Sequence, residues 1–138
     1  MKESQGRNEV GVIIKSMNLL CCLAVAPQLV VELLKQTGIT KPTVYRILNT
    51  LNVGGFVVRN SGSRKYTLGP TLVGLGRATR NFTEIIRNVR PTIMELRKKY
   101  NEAVNLGVLN NGKVIYLITL ESEQHLGMTV PVTIHKNA

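Results

Sequence analysis

Apolar residues recur at helical spacing in the first fifty positions of the chain and predict three helices. The first helix has a stripe made of Ile13, Ser16, Met17, Leu20, Leu23 and Ala24. A second, short helix over residues 29–36 ends before Gly38, since glycine readily adopts the left-handed conformation that closes a helix. The third helix starts after Thr40, and its apolar set is Val44, Ile47, Leu48 and Leu51.

The third helix has a polar face without any glutamate. All of its members can form hydrogen bonds: Lys41, Thr43, Tyr45, Arg46, Asn49 and Thr50. We expect Thr40 to cap free backbone N–H groups, and Pro42 is tolerated in a first helical turn. Because residues 37–39 are a short link, the second and third helices predict a helix-turn-helix, whose second helix presents its N-terminal half to base edges in the major groove.

A hairpin follows the three helices. Residues 56–59 and 65–68 are short β-forming runs on either side of Asn60-Ser61-Gly62-Ser63. In a winged helix-turn-helix such a hairpin is the wing, and Arg59, Arg64 and Lys65 suit contacts to phosphate or to the minor groove. The alternative is a solvated hairpin without a role in binding.

The second half of the chain predicts two helices and then strands. Gly69 and Pro70 start a linker helix, and residues 82–100 carry another apolar stripe, in which Pro91 is expected to kink the helix or divide it in two. The basic residues of that helix are expected to form a solvated face: Arg87, Arg90, Arg97, Lys98 and Lys99.

A second hairpin is predicted after this helix. Residues 103–109 and 113–120 are rich in β-formers and flank an Asn-Asn-Gly turn. Residues 125–130 are expected to add a third strand.

Charge and composition favour some classes of function over others. The formal net charge is +10 and the isoelectric point is near 10.1, which favours a polyanionic partner such as nucleic acid. The chain contains no aspartate, and its two cysteines are adjacent, at Cys21 and Cys22. We therefore expect no metal site, no cofactor and no catalytic constellation, and we interpret His125 and His135 as strand or surface residues.

Residues 17–26 leave one alternative open. They are apolar, follow basic residues and end in Ala24-Val25-Ala26, which is similar to a signal-peptidase site and would indicate a secreted or lipid-anchored domain. Helical periodicity accounts better for this stretch, and no run approaches the length of a membrane span. We expect a cytoplasmic protein without a membrane role.

With these elements in place, the chain resembles the IclR family of bacterial transcriptional regulators. The resemblance begins in the first helix and is most specific in residues 39–48, Ile-Thr-Lys-Pro-Thr-Val-Tyr-Arg-Ile-Leu, which are similar to the recognition-helix signature of the family. It continues through Tyr-Thr-Leu-Gly at 66–69, through residues 72–78 in the linker helix, and through residues 105–108 and 112–116 in the first strands of the effector domain.

This resemblance implies an α+β chain in three parts. Residues 1–69 form a winged helix-turn-helix, residues 70–81 a linker helix, and residues 82–138 the N-terminal part of an α/β, GAF-like effector and oligomerisation domain. Members of the family continue beyond this point, so we expect either a fragment or a shortened regulator. A small-molecule effector remains open, because its pocket is expected to be incomplete.

The sequence thus predicts a non-enzymatic repressor or activator that binds double-stranded DNA as a homodimer or higher oligomer, through its first and linker helices, on a pseudo-palindromic operator. A shortened regulator that pairs with a full-length paralogue is the alternative. Arg46 suits guanine and Asn49 suits adenine, while Thr40 and Thr43 suit phosphates. The expected DNA-binding residues are Thr40, Lys41, Thr43, Tyr45, Arg46, Asn49, Arg59, Arg64 and Lys65.

Overall fold

The computed structural model describes residues 8–123 and divides the chain into two compact units between Leu72 and Val73. The first unit contains α1 (Gly11–Val25), α2 (Val30–Thr37), α3 (Lys41–Val53), β1 (Val57–Arg59) and β2 (Tyr66–Leu68). Helix α4 (Pro70–Ala78) crosses the division and is followed by α5 (Arg80–Tyr100), β3 (Val104–Asn110) and β4 (Lys113–Leu120). The predicted combination of a helix-turn-helix with a small C-terminal α/β part is confirmed. The third strand predicted over residues 125–130 lies outside the described residues.

Helix α3 begins where the sequence predicted, but the side chain of Thr40 does not cap it. Thr40 occupies the N-cap position, and its carbonyl accepts a hydrogen bond from the Val44 N–H at 3.0 Å. Its hydroxyl donates to Thr43 Oγ1 at 2.9 Å and makes no bond to the backbone N–H groups. The expected side-chain cap is therefore wrong, because the Thr40 hydroxyl points to the Thr43 side chain and not to the free N–H groups of the first turn.

The turn between α2 and α3 uses the glycine that the sequence singled out. Gly38 has a φ of 67°, and its N–H donates to the Leu34 carbonyl at 3.0 Å. A side chain at this φ costs about 1 kcal/mol, so glycine both ends α2 and sets the direction of α3.

Every helix and strand wholly within the first unit contributes to one core. Its buried residues are Leu19, Leu23, Leu33, Val44, Ile47, Leu48, Val57 and Tyr66. Burying an aliphatic side chain of this size contributes about 1.5–3 kcal/mol relative to leaving it exposed. The cluster therefore holds α3 and the β1–β2 hairpin on a common support.

Helix α1 turns a different face to this core than the predicted stripe. Leu19 is fully buried and Leu23 is 4% exposed, whereas Ile13 and Met17 are 56% and 39% exposed. The predicted stripe is wrong for the first half of the helix. Because α1 is apolar on more than one side, spacing alone did not identify the buried face.

A buried glutamine joins the helices of the first unit to the β1–β2 hairpin. Gln28 is 5% exposed; its Nε2 donates to the Cys22 carbonyl at 2.7 Å, and its Oε1 accepts from Gln36 Nε2 at 2.5 Å. Its backbone N–H donates to the Tyr66 carbonyl at 3.1 Å, and its carbonyl accepts from the Tyr66 N–H at 2.8 Å. One residue therefore links α1, α2 and β2.

The backbone leaving the hairpin requires glycine at position 69. Gly69 is buried, its N–H donates to the Phe56 carbonyl at 2.7 Å, and a Cβ there would lie 2.2 Å from the Gly55 carbonyl oxygen. Thr71 reinforces the same junction, since its hydroxyl donates to the Gly54 carbonyl at 2.6 Å. The start of α4 is thereby fixed to the segment that follows α3.

In the second unit, α5 packs against the antiparallel β3–β4 hairpin. Ile93 of α5 and Ile118 of β4 are buried. The turn is formed by Asn111 and Gly112, whose φ angles of 50° and 74° are both positive, as a type I′ hairpin requires. The hairpin predicted around the Asn-Asn-Gly sequence is confirmed.

The structure changes two expectations about α5. The helix runs from Arg80 to Tyr100 through Pro91, so this proline does not divide it, and the alternative of a kink at Pro91 stays a prediction. Arg97 is not part of a solvated face, because its Nε donates to the Glu121 carbonyl at 2.7 Å and its guanidinium lies 3.7 Å from Glu123 Oε1. The last two residues of the predicted linker, at positions 80 and 81, lie in α5, since α4 ends at Ala78.

The hydrogen bonds of Gln28 predict its contribution to stability. Replacing Gln28 by leucine should lower the free energy of unfolding by about 1–3 kcal/mol, because the Cys22 carbonyl loses its partner in a partly buried environment. Gln36→Ala is the matched control, and its loss should be smaller, since Gln36 is exposed and water can replace it. Urea unfolding followed by circular dichroism measures both, and equal losses would contradict the central role of Gln28.

Candidate nucleic-acid interface

The polar face of α3 is open to solvent. Its rotation is fixed by Val44 and Leu48, which are fully buried on the opposite side. Thr43 is half-buried at one edge. The exposed members are Lys41, Tyr45, Arg46, Asn49 and Thr50. Amide, guanidinium and ammonium groups in this position are the groups that proteins use to contact base edges and phosphates.

A groove of about 420 Å³ lies between the first half of α1 and α3. We call it the α1–α3 groove. Its polar lining consists of Lys15 and Ser16 from α1 with Thr43, Arg46 and Thr50 from α3. The apolar lining is Val12, Ile47 and Leu51. Because residues 43, 46 and 50 follow helical i, i+3, i+7 spacing, one whole edge of α3 faces α1.

The hydroxyl groups of this groove are already engaged in local hydrogen bonds. Ser16 Oγ donates to the Val12 carbonyl at 2.7 Å, and Thr50 Oγ1 donates to the Arg46 carbonyl at 2.9 Å. Thr43 Oγ1 accepts the bond from Thr40. The strongest donors that remain in the lining are the ammonium group of Lys15 and the guanidinium group of Arg46.

The hairpin of the first unit holds the predicted wing cations in an ordered frame. Strands β1 and β2 pair antiparallel from Val57↔Leu68 to Arg59↔Tyr66, and β1 packs on α3. The Arg59 guanidinium lies 5.8 Å from the centre of the Tyr66 ring, a cation–π distance. Since the Tyr66 ring is buried, it anchors Arg59 along the hairpin while leaving the residue exposed.

The tip of this hairpin is a tight loop that includes Arg64. Asn60 Oδ1 accepts hydrogen bonds from the N–H groups of Gly62 and Ser63, each at 2.9 Å. Arg64 has a φ of 60°, and its N–H donates to the Asn60 carbonyl at 2.8 Å. A left-handed arginine costs about 1–2 kcal/mol, so the conformation that exposes this cation lowers the stability of the loop.

The first unit is rich in cations that lack carboxylate partners. Residues 8–72 contain seven lysines and arginines and two glutamates, Glu9 and Glu32. Glu32 accepts a hydrogen bond from the Leu29 N–H at 2.6 Å, at the start of α2. Among the described residues the ion pairs are Arg87–Glu84 and Arg97–Glu123, both in the second unit. The α3 and wing surfaces are therefore electropositive.

The structure groups the predicted site residues in two places. Thr40, Lys41, Thr43, Tyr45, Arg46 and Asn49 lie along α3 or at its N-cap, and Arg59, Arg64 and Lys65 lie on or beside the hairpin strands. Lys15 lines the α1–α3 groove but was missing from the predicted set. No spacing rule relates a residue on α1 to one on α3, so the sequence offered no indication of this neighbour.

Residues 8–123 contain no group of three or more His, Cys, Asp or Glu side chains arranged to hold a metal ion. In the same part of the chain, no helix is both long enough and apolar enough to cross a membrane. Burial raises the pKa of the Cys22 thiol, as expected for a cysteine that packs as a small apolar residue. His125 and His135 lie outside the described residues.

Comparison with known proteins assigns this geometry to a family. Residues 12–61 match the family described as the IclR helix-turn-helix domain; they hold α1 from its second residue, α2, α3, β1 and part of the hairpin loop. This chain contains an IclR-type helix-turn-helix domain. The resemblance inferred from residues 39–48 is thereby confirmed.

The relatives of this IclR-type chain are about twice its length. It is 28% identical over 122 residues to the HTH-type transcriptional regulator KdgR of Escherichia coli, covering 88% of this chain and 46% of KdgR. It is 30% identical over 119 residues to the HTH-type transcriptional regulator KipR of Bacillus subtilis, covering 86% of this chain and 47% of KipR. Both relatives are regulators rather than enzymes, in agreement with the expected absence of catalysis.

A solved IclR transcriptional regulator from Alicyclobacillus acidocaldarius has the same fold. The TM-score is 0.64 at 24% identity, and the match covers 91% of this chain and 51% of that one. The IclR-type chain therefore spans about half the length of the proteins it matches.

The left-handed conformation of Arg64 allows a substitution that removes the charge without disturbing the loop. Arg64→Asn should keep or raise the free energy of unfolding, because asparagine tolerates the left-handed region better than arginine. It should weaken binding to duplex DNA and make the slope of log K against log salt shallower by about 0.9. Fluorescence anisotropy of a labelled duplex across a potassium chloride series measures this slope. Arg64→Lys, which keeps the charge, should retain it, and an unchanged slope in Arg64→Asn would remove Arg64 from the interface.

Proposed function

We propose that this chain is a sequence-specific, DNA-binding transcriptional regulator of the IclR type, which inserts α3 into the major groove and lays the β1–β2 hairpin beside it. The observation that carries the proposal is the exposed face of α3, which is polar, free of acidic residues and adjacent to a cationic hairpin. Double-stranded DNA neutralises such a surface and supplies acceptors for its donors.

Asn49 is the proposed reader of a base. It is exposed in the middle of the polar face and outside the lining of the α1–α3 groove. A side-chain amide can pair with N6 and N7 of adenine through two hydrogen bonds, which discriminates against the other bases. Lys41 and Tyr45 precede Asn49 at four-residue steps on the exposed surface of α3 and complete its proposed contacts. The helix N-terminus at Thr40 and Thr43 is proposed to lie near a phosphate.

Dimerisation is part of the same proposal, because one recognition helix seldom gives sufficient affinity for a specific site. The first half of α1 exposes Ile13 and Met17, which are four residues apart, and α4 exposes Val73 and Leu75. Exposed apolar positions on these helices are suited to a second copy of the chain.

Sedimentation at micromolar concentration should show a dimer. Ile13→Glu should shift it to monomer, because it places a charge on the exposed apolar side of α1.

Pairing with a full-length paralogue is the competing function. The exposed apolar positions of α1 and α4 would suit this pairing equally well. The two functions therefore differ in whether the chain alone binds its operator.

We place the regulator in the cytoplasm, where its DNA target is accessible. Whether this chain senses a metabolite remains an expectation from the family, since the chain spans about half the length of its relatives.

The salt dependence of DNA binding tests the proposed function directly. The purified chain is titrated against duplex DNA from upstream of its own gene and against a scrambled duplex of equal length. A preference that survives at physiological salt is expected, because base contacts persist while phosphate contacts weaken. Equal, salt-sensitive binding to both duplexes would contradict specific regulation and favour the paralogue hypothesis.

Asn49→Ala tests whether Asn49 is the source of the preference for one duplex over the other. It should cost about 1–3 kcal/mol on the preferred duplex and relax selectivity at one A·T pair, with little effect on the scrambled duplex. The matched control is Asn52→Ala, which removes the same group from an exposed position near the C-terminal end of α3. Equal losses on both duplexes would make Asn49 a phosphate contact.

A further inference from the structure

The α1–α3 groove brings two positive charges to one surface without a carboxylate among its lining residues. Lys15 enters from α1 and Arg46 from α3. Like charges that line the same groove repel each other, and an anion placed between them would relieve the repulsion. An anion in this groove would be attracted by a charge from each helix, and one of these helices lies outside the helix-turn-helix.

We propose that Lys15 and Arg46 together bind one backbone phosphate of DNA in the α1–α3 groove, so that α1 is part of the DNA interface. This inference rests on the proposed DNA-binding function and extends it to a helix outside the helix-turn-helix. It also assigns Arg46 to phosphate, where the sequence pattern favoured a guanine contact.

The position of Arg46 on α3 supports a phosphate contact. A helix in the major groove has base edges beneath it and a sugar-phosphate strand beside each edge. Arg46 shares an edge with Thr43 and Thr50, and that edge faces α1. Asn49 does not line the groove, so the two residues divide the tasks of phosphate binding and base reading.

The chemistry of the lining favours a phosphate over a small organic ligand. The hydroxyl groups of Ser16 and Thr50 donate to carbonyls of their own helices, so they offer no proton to an incoming group. What remains is the Thr43 hydroxyl, which only accepts a bond in the groove, and two cationic donors above apolar side chains. The two cations attract charge without selecting a shape. A DNA phosphate is positioned by the rest of the interface and needs no further directed donors.

Lys15 is also separate from the face proposed for dimerisation. Residues two apart in a helix point about 200° from each other, so Lys15 lies on the opposite side of α1 from Ile13 and Met17. A substitution at Lys15 should therefore leave the oligomeric state unchanged, which keeps the test of DNA contact independent of dimer formation.

The test is a double-mutant cycle on the whole chain with Lys15→Ala, Arg46→Ala and the double variant. The probes are a duplex selected from a random-sequence pool by the wild-type chain and a scrambled duplex of equal length. Lys98→Ala is the control, since it removes one exposed charge from the second unit. Thermal unfolding and sedimentation check that each variant keeps the fold and oligomeric state of the wild type.

We expect each single substitution to weaken binding to both duplexes by the same factor, and Lys98→Ala to have a smaller effect. The double variant should make the slope of log K against log salt shallower by about 0.9 in total, because one phosphate is involved. Contacts to two separate phosphates would make it shallower by about 1.8. Arg46→Lys and Lys15→Arg keep the charges and should therefore keep most of the wild-type slope.

Each other outcome overturns the inference in a recognisable way. If Lys15→Ala binds like the wild type, α1 makes no contact with DNA, while the proposed function stands. If Arg46→Ala loses affinity only for the selected duplex, Arg46 reads a base. If the wild-type chain enriches no sequence from the pool and binds no duplex, the proposed function and the inference fail together.

Discussion

The first unit depends on one buried amide group. The carbonyls at the end of a helix lack partners within it, and burial of unpaired carbonyls is costly. Gln28 follows α1 directly and donates its side-chain amide to Cys22 in the last turns of that helix, while Gln36 near the end of α2 donates to it. Its backbone pairs with Tyr66. The same residue therefore satisfies the end of a helix and fixes the hairpin.

This constraint extends from the core to the proposed DNA surface. Tyr66 pairs through its backbone with Gln28 on one side and with Arg59 on the other, and its ring is buried in the core of the first unit. Its ring then supports the Arg59 guanidinium. On α3, buried Val44 and Leu48 fix the direction of the polar face in the same way. The contacts proposed for DNA are thus positioned by buried residues that never meet DNA, and weakening the core should loosen the interface as well as the fold.

Local patterns predicted most of the elements of this chain, and contacts between elements account for the errors. The third helix and both hairpins follow from apolar spacing, Gly38 and the Asn-Asn-Gly turn. Thr40 was expected to cap a helix, but its hydroxyl is directed at the Thr43 side chain and accepts no bond from the backbone N–H groups. Gln28 and Lys15 were missed, because their roles arise from residues distant in sequence. Arg97 was assigned to solvent, although the end of β4 supplies its acceptor.

Helix α1 explains why such predictions fail where one helix serves several surfaces. Leu19 and Leu23 face the core, Ile13 and Met17 lie exposed, and Lys15 lines the α1–α3 groove. A single stripe accounts for a helix with one buried face, but α1 has distinct environments on three sides. Because its core residues lie in the second half, the first half is left to other contacts. A second chain and a DNA strand would satisfy the apolar and cationic sides separately, so dimerisation and DNA binding can both act through α1 without competing for the same residues.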